Sequence, residues 1–140
     1  MTDTSHTGKD VCYRVLAELL ALIEALGYVD PIIGVLTGVA KIGASSYSLR
    51  DLLLLMSKRC KVKSMKAIKV ATTCGFLDER REEDLRLFYP TQLLLPLALA
   101  YDIVLDECPS CRKVYANALK KYRSAVLKGR RKLVQEKKEE

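Results

Sequence analysis

The sequence predicts a mainly α-helical chain with one small β-hairpin near its middle, and three observations support this prediction. Apolar residues make up 49% of the 140 residues, which is enough to bury the core of one domain. Apolar side chains recur at helical spacing over most of the chain. Only residues 76–89 change to the alternation that is typical of strands, and a basic helix is predicted directly before them.

Two apolar helices are predicted in the first third of the chain. Asp10 is a suitable N-cap for the first helix, which Gly27 ends. Asp30 and Pro31 predict the start of the second, because aspartate caps well and proline is tolerated at the first helical position. This helix is expected to run to about Ile42.

Two shorter helices follow, and the second of them is basic. Ser48 with Asp51 forms an approximate capping box for a helix that ends near Met56. The next helix is expected over residues 62–74, where Gly75 ends it. Its two faces differ in character. The arc expected to be buried holds Met65, Ile68, Ala71 and Thr72, and the polar arc holds Lys63, Lys66, Lys69 and Thr73.

A hairpin and an apolar helix are predicted next. Residues 76–80 and 85–89 are the expected strands, with residues 81–84 as a polar turn. An apolar helix then runs from Gln92 to about Asp106, and Pro96 is expected to restrict its start or kink it.

The last predicted helix, residues 109–135, combines an apolar seam with strong positive charge. Apolar residues follow heptad spacing along it. They are Tyr115, Leu119, Tyr122, Val126 and Leu133.

Positive charge lies in two blocks on a nearly neutral chain. Residues 112–140 carry a net charge of +8 within a total of +7, and residues 58–69 hold six Lys/Arg and no acid. Two basic blocks indicate a polyanionic partner, nucleic acid first and an anionic membrane surface second. The alternative for either block is a solvated helix face.

The stretch SLRDLLLLMSKRCKVKSMKAIKVATTCGFLDERREEDLRLFYPT, residues 48–91, resembles the winged helix-turn-helix family of DNA-binding regulators, and archaeal members most of all. The resemblance implies a winged helix-turn-helix core over residues 31–106 with additional N- and C-terminal helices. On this interpretation residues 1–9 are a disordered start, residues 10–107 form the winged-helix domain, and residues 108–140 form a basic helix that dimerises.

The basic helix is the expected DNA contact, because a helix fits the major groove of B-DNA. The resemblance implies that the preceding helix, which starts at Ser48, holds the basic helix in place. It also implies that the N-terminus of this preceding helix faces a phosphate. The wing tip, residues 82–84, is acidic and is expected not to enter the minor groove; it would instead meet a basic protein partner or the basic tail of another copy. The predicted DNA-contacting residues are Arg50, Lys61, Lys63, Ser64, Lys66, Lys69, Thr73, Arg80, Arg81 and Arg86.

The two terminal helices lie outside the matched stretch, and the resemblance implies that they form a homodimer interface. The alternative is that both helices fold back on their own chain. The predicted dimer residues are Leu16, Leu19, Ile23, Tyr115, Leu119, Tyr122 and Val126.

The cysteines suggest structural roles. Cys108 and Cys111 form a CxxC motif, interpreted as a helix cap and a packing residue. A disulfide within this pair, or between Cys60 and Cys74, is the alternative. Zinc usually takes four Cys/His ligands, and the chain has one CxxC and one histidine, His6, so no metal is expected.

No catalytic motif or cofactor loop is present, so neither an enzyme nor a cofactor is expected. No signal peptide and no apolar run of roughly 20 residues are found, which predicts a cytoplasmic, nucleoid-associated protein without membrane contact.

The favoured hypothesis is a homodimeric transcriptional regulator that binds double-stranded DNA. A sequence-indifferent, chromatin-like coating protein is the first alternative, because the exposed face of the basic helix lacks Arg, Asn and Gln for bidentate base contacts. A winged-helix protein-interaction module is the second, and the acidic wing tip favours it.

Overall fold

The computed structural model describes the backbone of residues 3–57 and 64–139 and the side chains of residues 11–55 and 65–129. The described part is mainly helical with a small antiparallel sheet, which confirms the predicted fold class at that level. A 3₁₀ turn, Gln92–Leu94, precedes α5, and a π-helical turn, Ile103–Glu107, follows it. The elements are α1 (Asp3–Leu26), α2 (Pro31–Ile42), β1 (Tyr47–Ser48), α3 (Leu49–Ser57), α4 (Ser64–Thr73), β2 (Leu77–Glu82), β3 (Leu85–Pro90), α5 (Leu95–Asp102) and α6 (Pro109–Glu139).

The predicted caps of α2 and α3 are confirmed. The Asp30 carboxylate accepts hydrogen bonds from the backbone N–H groups of Ile32 and Ile33, at 2.9 and 3.3 Å. Ser48 and Asp51 form a reciprocal capping box, since each side-chain oxygen accepts from the other residue's backbone N–H, at 3.1 and 3.3 Å. These local bonds fix where both helices begin.

The sheet has the strand order β1-β3-β2 and is antiparallel throughout. Glu83 and Asp84 form the two-residue turn between β2 and β3 with positive φ angles of 49° and 68°. This turn is shorter than the predicted turn over residues 81–84, so β2 extends two residues further toward the tip, to Glu82, while β3 begins at Leu85 as predicted. Strand β1, which the sequence pattern did not indicate, pairs Tyr47 with Phe88.

Tyr47 explains why so short a strand forms there. Its side chain is buried, its hydroxyl donates to the Val39 carbonyl at 2.9 Å, and it accepts from the Ala44 N–H at 3.0 Å. The tyrosine therefore ties the end of α2 and the loop that follows to the sheet. Burial raises the pKa of Tyr47, partly opposed by the Ala44 hydrogen bond.

Two apolar clusters hold the fold together. The first joins α2, α3, α4 and the sheet, and its buried members include Val39, Leu52, Ile68, Ala71 and Phe88. The second joins α1, α5, the π-helical turn and α6. Its buried members include Leu20, Tyr101, Val104, Cys111 and Tyr115.

Helices α1 and α2 make a close backbone contact at Gly27. A Cβ atom on Gly27 would lie 2.9 Å from the Gly34 Cα. Beside this contact, Glu24 of α1 is buried and pairs with Lys41 of α2 at 3.1 Å. The Lys41 ammonium also lies 5.3 Å from the ring centre of Tyr115, so the pair connects α1, α2 and α6.

Two local expectations differ from the structure. Helix α1 begins at Asp3, whereas the sequence predicted that it begins after Asp10. Extending an existing helix adds one hydrogen bond per residue, which is cheaper than starting one. The predicted helix over residues 92–106 is divided, with Pro96 in the first turn of α5 and a π-helical turn at the end.

The terminal helices pack against each other within the chain. Tyr115 is buried in the second cluster, and Leu16, Leu119 and Tyr122 pack against that cluster. These four residues, predicted to face a second copy, take part in the α1–α6 packing within the chain. The amphipathic pattern was correct, but it could not indicate which surface the apolar side would cover.

The other predicted dimer residues divide by exposure. Ile23 and Val126 are half-buried, while Leu19 is 50% exposed. Among the described helices, none is both long and apolar enough to cross a membrane.

Candidate nucleic-acid interface

Helix α4 presents one polar face and buries the opposite one. Ala67, Ile68 and Ala71 are buried in the first cluster, against α2, α3 and the sheet. Lys66, Lys69 and Thr73 are exposed, as the sequence predicted; at 100° per residue they form one stripe about 10 Å long. This stripe, Lys66, Lys69 and Thr73, is called the lysine stripe below.

Met65 was expected on the buried face, and that prediction is wrong. It is 48% exposed, because it lies in the first turn of α4 beside Lys69 on the helix circumference. Ala67, which the predicted arc omitted, takes its place in the core. The helix therefore sits rotated toward Ala67 relative to the predicted orientation.

A cleft of about 570 Å³ separates α4 from the hairpin. Lys66, Lys69 and Thr73 line one wall. Glu79, Arg86 and Phe88 belong to the other wall. Two ammonium groups thus face a carboxylate–guanidinium pair across an open groove, so the positive charge of the cleft comes mainly from α4.

The hairpin β2–β3 is net acidic. Residues 77–90 contain five Asp/Glu and three Arg, a net charge of −2. Two of the predicted DNA-contacting arginines bind carboxylates of the same hairpin: Arg80 pairs with Asp78 at 3.0 Å, and Arg86 pairs with Glu79. The Arg80 guanidinium also stacks on the Tyr89 ring at 4.8 Å.

These pairs weaken the expected role of the hairpin arginines. A guanidinium that already satisfies a carboxylate must break that pair to meet a phosphate, and neighbouring carboxylates repel the phosphate. Arg81 is exposed near the same acidic tip. The hairpin is therefore poorly suited to lie against a nucleic-acid backbone along its whole length.

The N-terminus of α3 is less open to an anion than the sequence suggested. Arg50 is exposed in the first turn, as a phosphate contact requires. The backbone N–H groups of Ser48 and Asp51, however, already donate to each other's side chains. The Asp51 carboxylate also places a negative charge at this helix end, so Arg50 is the feature that remains suited to phosphate.

Three predicted contact residues lie wholly or partly outside the described residues. Lys61 and Lys63 fall in the gap between α3 and α4, and Ser64 is described as the first residue of α4 without its side chain. The described site therefore consists of the lysine stripe, Arg50 and the hairpin arginines.

The sequence prediction missed the Glu79–Arg86 pair, although a signal for it exists. A two-residue turn at Glu83 and Asp84 sets Glu79 opposite Phe88, which places Arg86 diagonally across the same face. The four-residue turn assigned from the sequence would set Glu79 directly opposite Arg86, so either turn brings the two charges together, and the sequence prediction did not consider cross-strand pairs.

The CxxC motif lies away from α4, at the start of α6. Cys108 and Cys111 form a disulfide with a Cα–Cα distance of 5.1 Å. In the sequence prediction this disulfide is the alternative to a helix cap and a packing residue. The Cys108 carbonyl also accepts hydrogen bonds from the backbone N–H groups of Cys111 and Arg112, so Cys108 is the N-cap residue of α6. Cys74 carries a free thiol, which disagrees with a Cys60–Cys74 bond.

Comparison with protein-family models, with curated proteins and with solved structures gives no significant match to this chain.

Proposed function

We propose that the protein binds double-stranded DNA by inserting α4 into the major groove, in a winged helix-turn-helix arrangement of α3, α4 and the β2–β3 hairpin, and that it acts as a transcriptional regulator. The observation that supports this proposal is the lysine stripe. Lys66, Lys69 and Thr73 are exposed together while the opposite face of the same helix is buried.

The dimensions of α4 suit this task. An α-helix with its side chains is about 10–12 Å across, and the major groove is about 12 Å wide. Lysines one turn apart reach phosphates or the acceptor edge of guanine, and a threonine hydroxyl both donates and accepts. Because Ala67, Ile68 and Ala71 anchor α4 to the core, the helix meets the groove as a fixed element.

The charge distribution supports an approach led by α4. The sequence around its start, residues 58–69, has six Lys/Arg and no acid, whereas the hairpin has a net charge of −2. A phosphate backbone is attracted to the first region and repelled by the second. On this proposal the lysines and Arg50 make the backbone contacts, and the hairpin tip points away from the duplex.

A sequence-indifferent coating function is the second candidate, and the composition of the lysine stripe favours it. Bidentate contacts to bases come from Arg, Asn and Gln, and the stripe holds two Lys and one Thr. Lysine acts as a point charge that meets phosphates of any sequence. Both candidate functions use the same face of α4, and they differ in how much the duplex affinity depends on base sequence.

One binding experiment tests the proposal and separates these candidates. Fluorescence anisotropy would measure the affinity of the chain for a random duplex pool and for a pool enriched by repeated selection, across a salt series. A regulator binds the enriched pool more tightly, by about 10³-fold or more at equal salt. A coating protein binds both pools equally, with affinity that falls steeply as salt rises. Absence of binding to either pool at low salt would refute duplex binding and favour a protein-interaction module.

A further inference from the structure

Helix α1 carries a continuous apolar stripe on the side that faces away from the rest of the chain. The opposite side of α1 packs against the rest of the chain, where it buries Ala17, Leu20, Ala21 and Ala25. The outward stripe holds five large aliphatic side chains, each more than one third exposed. They are Val11 (53%), Val15 (61%), Leu19 (50%), Leu22 (39%) and Leu26 (37%).

The spacing of this stripe is that of a helix-pairing seam. With the exposed Cys12, the series Cys12, Val15, Leu19, Leu22 and Leu26 advances by 3, 4, 3 and 4 residues. Val11 lies beside it, so the apolar arc covers about 100° of the helix circumference. Heptad spacing lets side chains of one helix enter the gaps of an identical helix.

We infer that α1 pairs with α1 of a second copy of this chain, so that the protein is a homodimer about this stripe, called the α1 stripe below. It differs from the dimer surface predicted from the sequence. Of those seven residues only Leu19 belongs to it, and α6 contributes none, because its apolar side covers α1 from within the chain.

The size of the α1 stripe fits a second copy. It extends over 15 residue steps from Val11 to Leu26, about 22 Å along the helix. Its exposed apolar area is on the order of 400 Å², the size of the largest apolar patch on a typical monomer, and such patches are often functional. Two stripes together bury about 800 Å², so flanking residues must add about 400 Å² to reach the roughly 1,200 Å² at which stable interfaces begin.

The charges beside the α1 stripe favour a copy over a lipid surface. Between Val11 and Leu26 the exposed charged residues are Arg14 and Glu18, one of each sign. A helix that lies on an anionic membrane usually has several Lys/Arg along its flanks. Over this span the exposed charges of α1 itself cancel, so two identical α1 helices approach without net repulsion between these charges. A two-fold axis is the commonest way for identical surfaces to meet.

The inference does not depend on DNA binding, and its test needs no DNA. Sedimentation equilibrium without reductant would give the dimer dissociation constant of the intact chain with its Cys108–Cys111 disulfide, and non-reducing electrophoresis would exclude dimers linked through Cys12 or Cys74. Val15→Glu and Leu19→Glu each place a charge in the α1 stripe at positions at least half exposed, where folding is little affected. Leu99→Glu, on α5 and 51% exposed, is the matched control.

The wild-type chain is expected to dimerise, and both stripe variants are expected to weaken the dimer by on the order of a hundredfold, since a two-fold interface contains each substitution twice. Leu99→Glu should leave the dimer unchanged, and circular dichroism should show all variants folded. A monomeric wild-type chain, or stripe variants that dimerise as well as wild type, would overturn the inference.

A mixing experiment identifies the partner surface. Leu19→Glu and Leu19→Lys chains should each be monomeric and should dimerise when combined, because the two opposite charges meet across the helix pair. If the mixture stays monomeric, the α1 stripe does not meet its own copy and the inference fails.

Discussion

Replacing Gly27 by alanine is expected to destabilise the protein through the contact between α1 and α2. The new Cβ would lie 2.9 Å from the Gly34 Cα and 3.0 Å from the Glu24 carbonyl oxygen, and both are backbone atoms that cannot rotate away. Ordinary carbon contacts are about 3.5–4.0 Å, so the two helices must separate by roughly 0.6–1 Å. Gly27 is not among the glycines with positive φ, so alanine adds no backbone strain of its own there.

The magnitude follows from two opposing effects. Overpacking of this kind costs about 1–3 kcal/mol. Alanine in place of glycine stabilises the folded state by about 0.4–1 kcal/mol, because it lowers the conformational entropy of the unfolded chain. The net expectation for Gly27→Ala is about 1–2 kcal/mol of lost unfolding free energy, or a Tm lower by about 4–8 °C in a chain of this length.

A second glycine provides the matched control. A Cβ on Gly129, in α6, would meet no described atom within 4 Å. Gly129→Ala is therefore expected to raise the unfolding free energy by up to about 1 kcal/mol, because alanine favours a helix interior more than glycine does. Thermal and urea unfolding followed by circular dichroism measure both variants. If Gly27→Ala were as stable as wild type, the close approach of α1 and α2 would be wrong.

Two further predictions concern the sheet and the hairpin tip. Tyr47→Phe removes the hydrogen bonds to Val39 and from Ala44 and should cost about 2 kcal/mol in urea unfolding at neutral pH. Because the pKa of Tyr47 is raised in the folded protein, Tyr47 contributes fully to the free energy of unfolding below pH 10.0 and loses this contribution as pH rises above that value. The free energy of unfolding of Tyr47→Phe should therefore fall less than that of wild type at high pH. Parallel pH profiles of the two proteins would contradict this. Glu82→Lys with Glu83→Lys changes the net charge of the hairpin from −2 to +2 and should strengthen duplex binding at low salt, because the acidic hairpin repels phosphates. Anisotropy measures the affinity, and an unchanged affinity at low salt would contradict that repulsion.

Elements with strong local signals were predictable from the sequence. The caps at Asp30 and Ser48 satisfy helix N–H groups with neighbouring side chains, so they can be found without knowing the fold. The outward position of Lys66 and Lys69 on α4 followed from helical spacing alone.

Features that depend on distant partners were not predictable. Strand β1 exists because Tyr47 is buried against β3 and the end of α2, contacts that no local pattern specifies. Met65 was assigned to the core because spacing gives the angle between side chains but not the rotation of the helix against its neighbours. The apolar side of α6 was assigned to a second copy, whereas Tyr115 packs beneath α1.

If α4 makes the contact with DNA, its exposed lysines contribute more to duplex binding than exposed lysines elsewhere in the chain, and a paired comparison measures this difference. Lys66→Gln with Lys69→Gln removes two positive charges from α4, and Lys120→Gln with Lys121→Gln removes two exposed charges from α6. Duplex affinity would be measured for both double variants and wild type across a salt series. The α4 variant is predicted to bind at least about tenfold more weakly and to reduce the log–log salt slope by about 1.8, since each phosphate contact contributes about 0.9. The α6 variant should lose less affinity, and an α6 loss equal to or larger than that of α4 would contradict the claim.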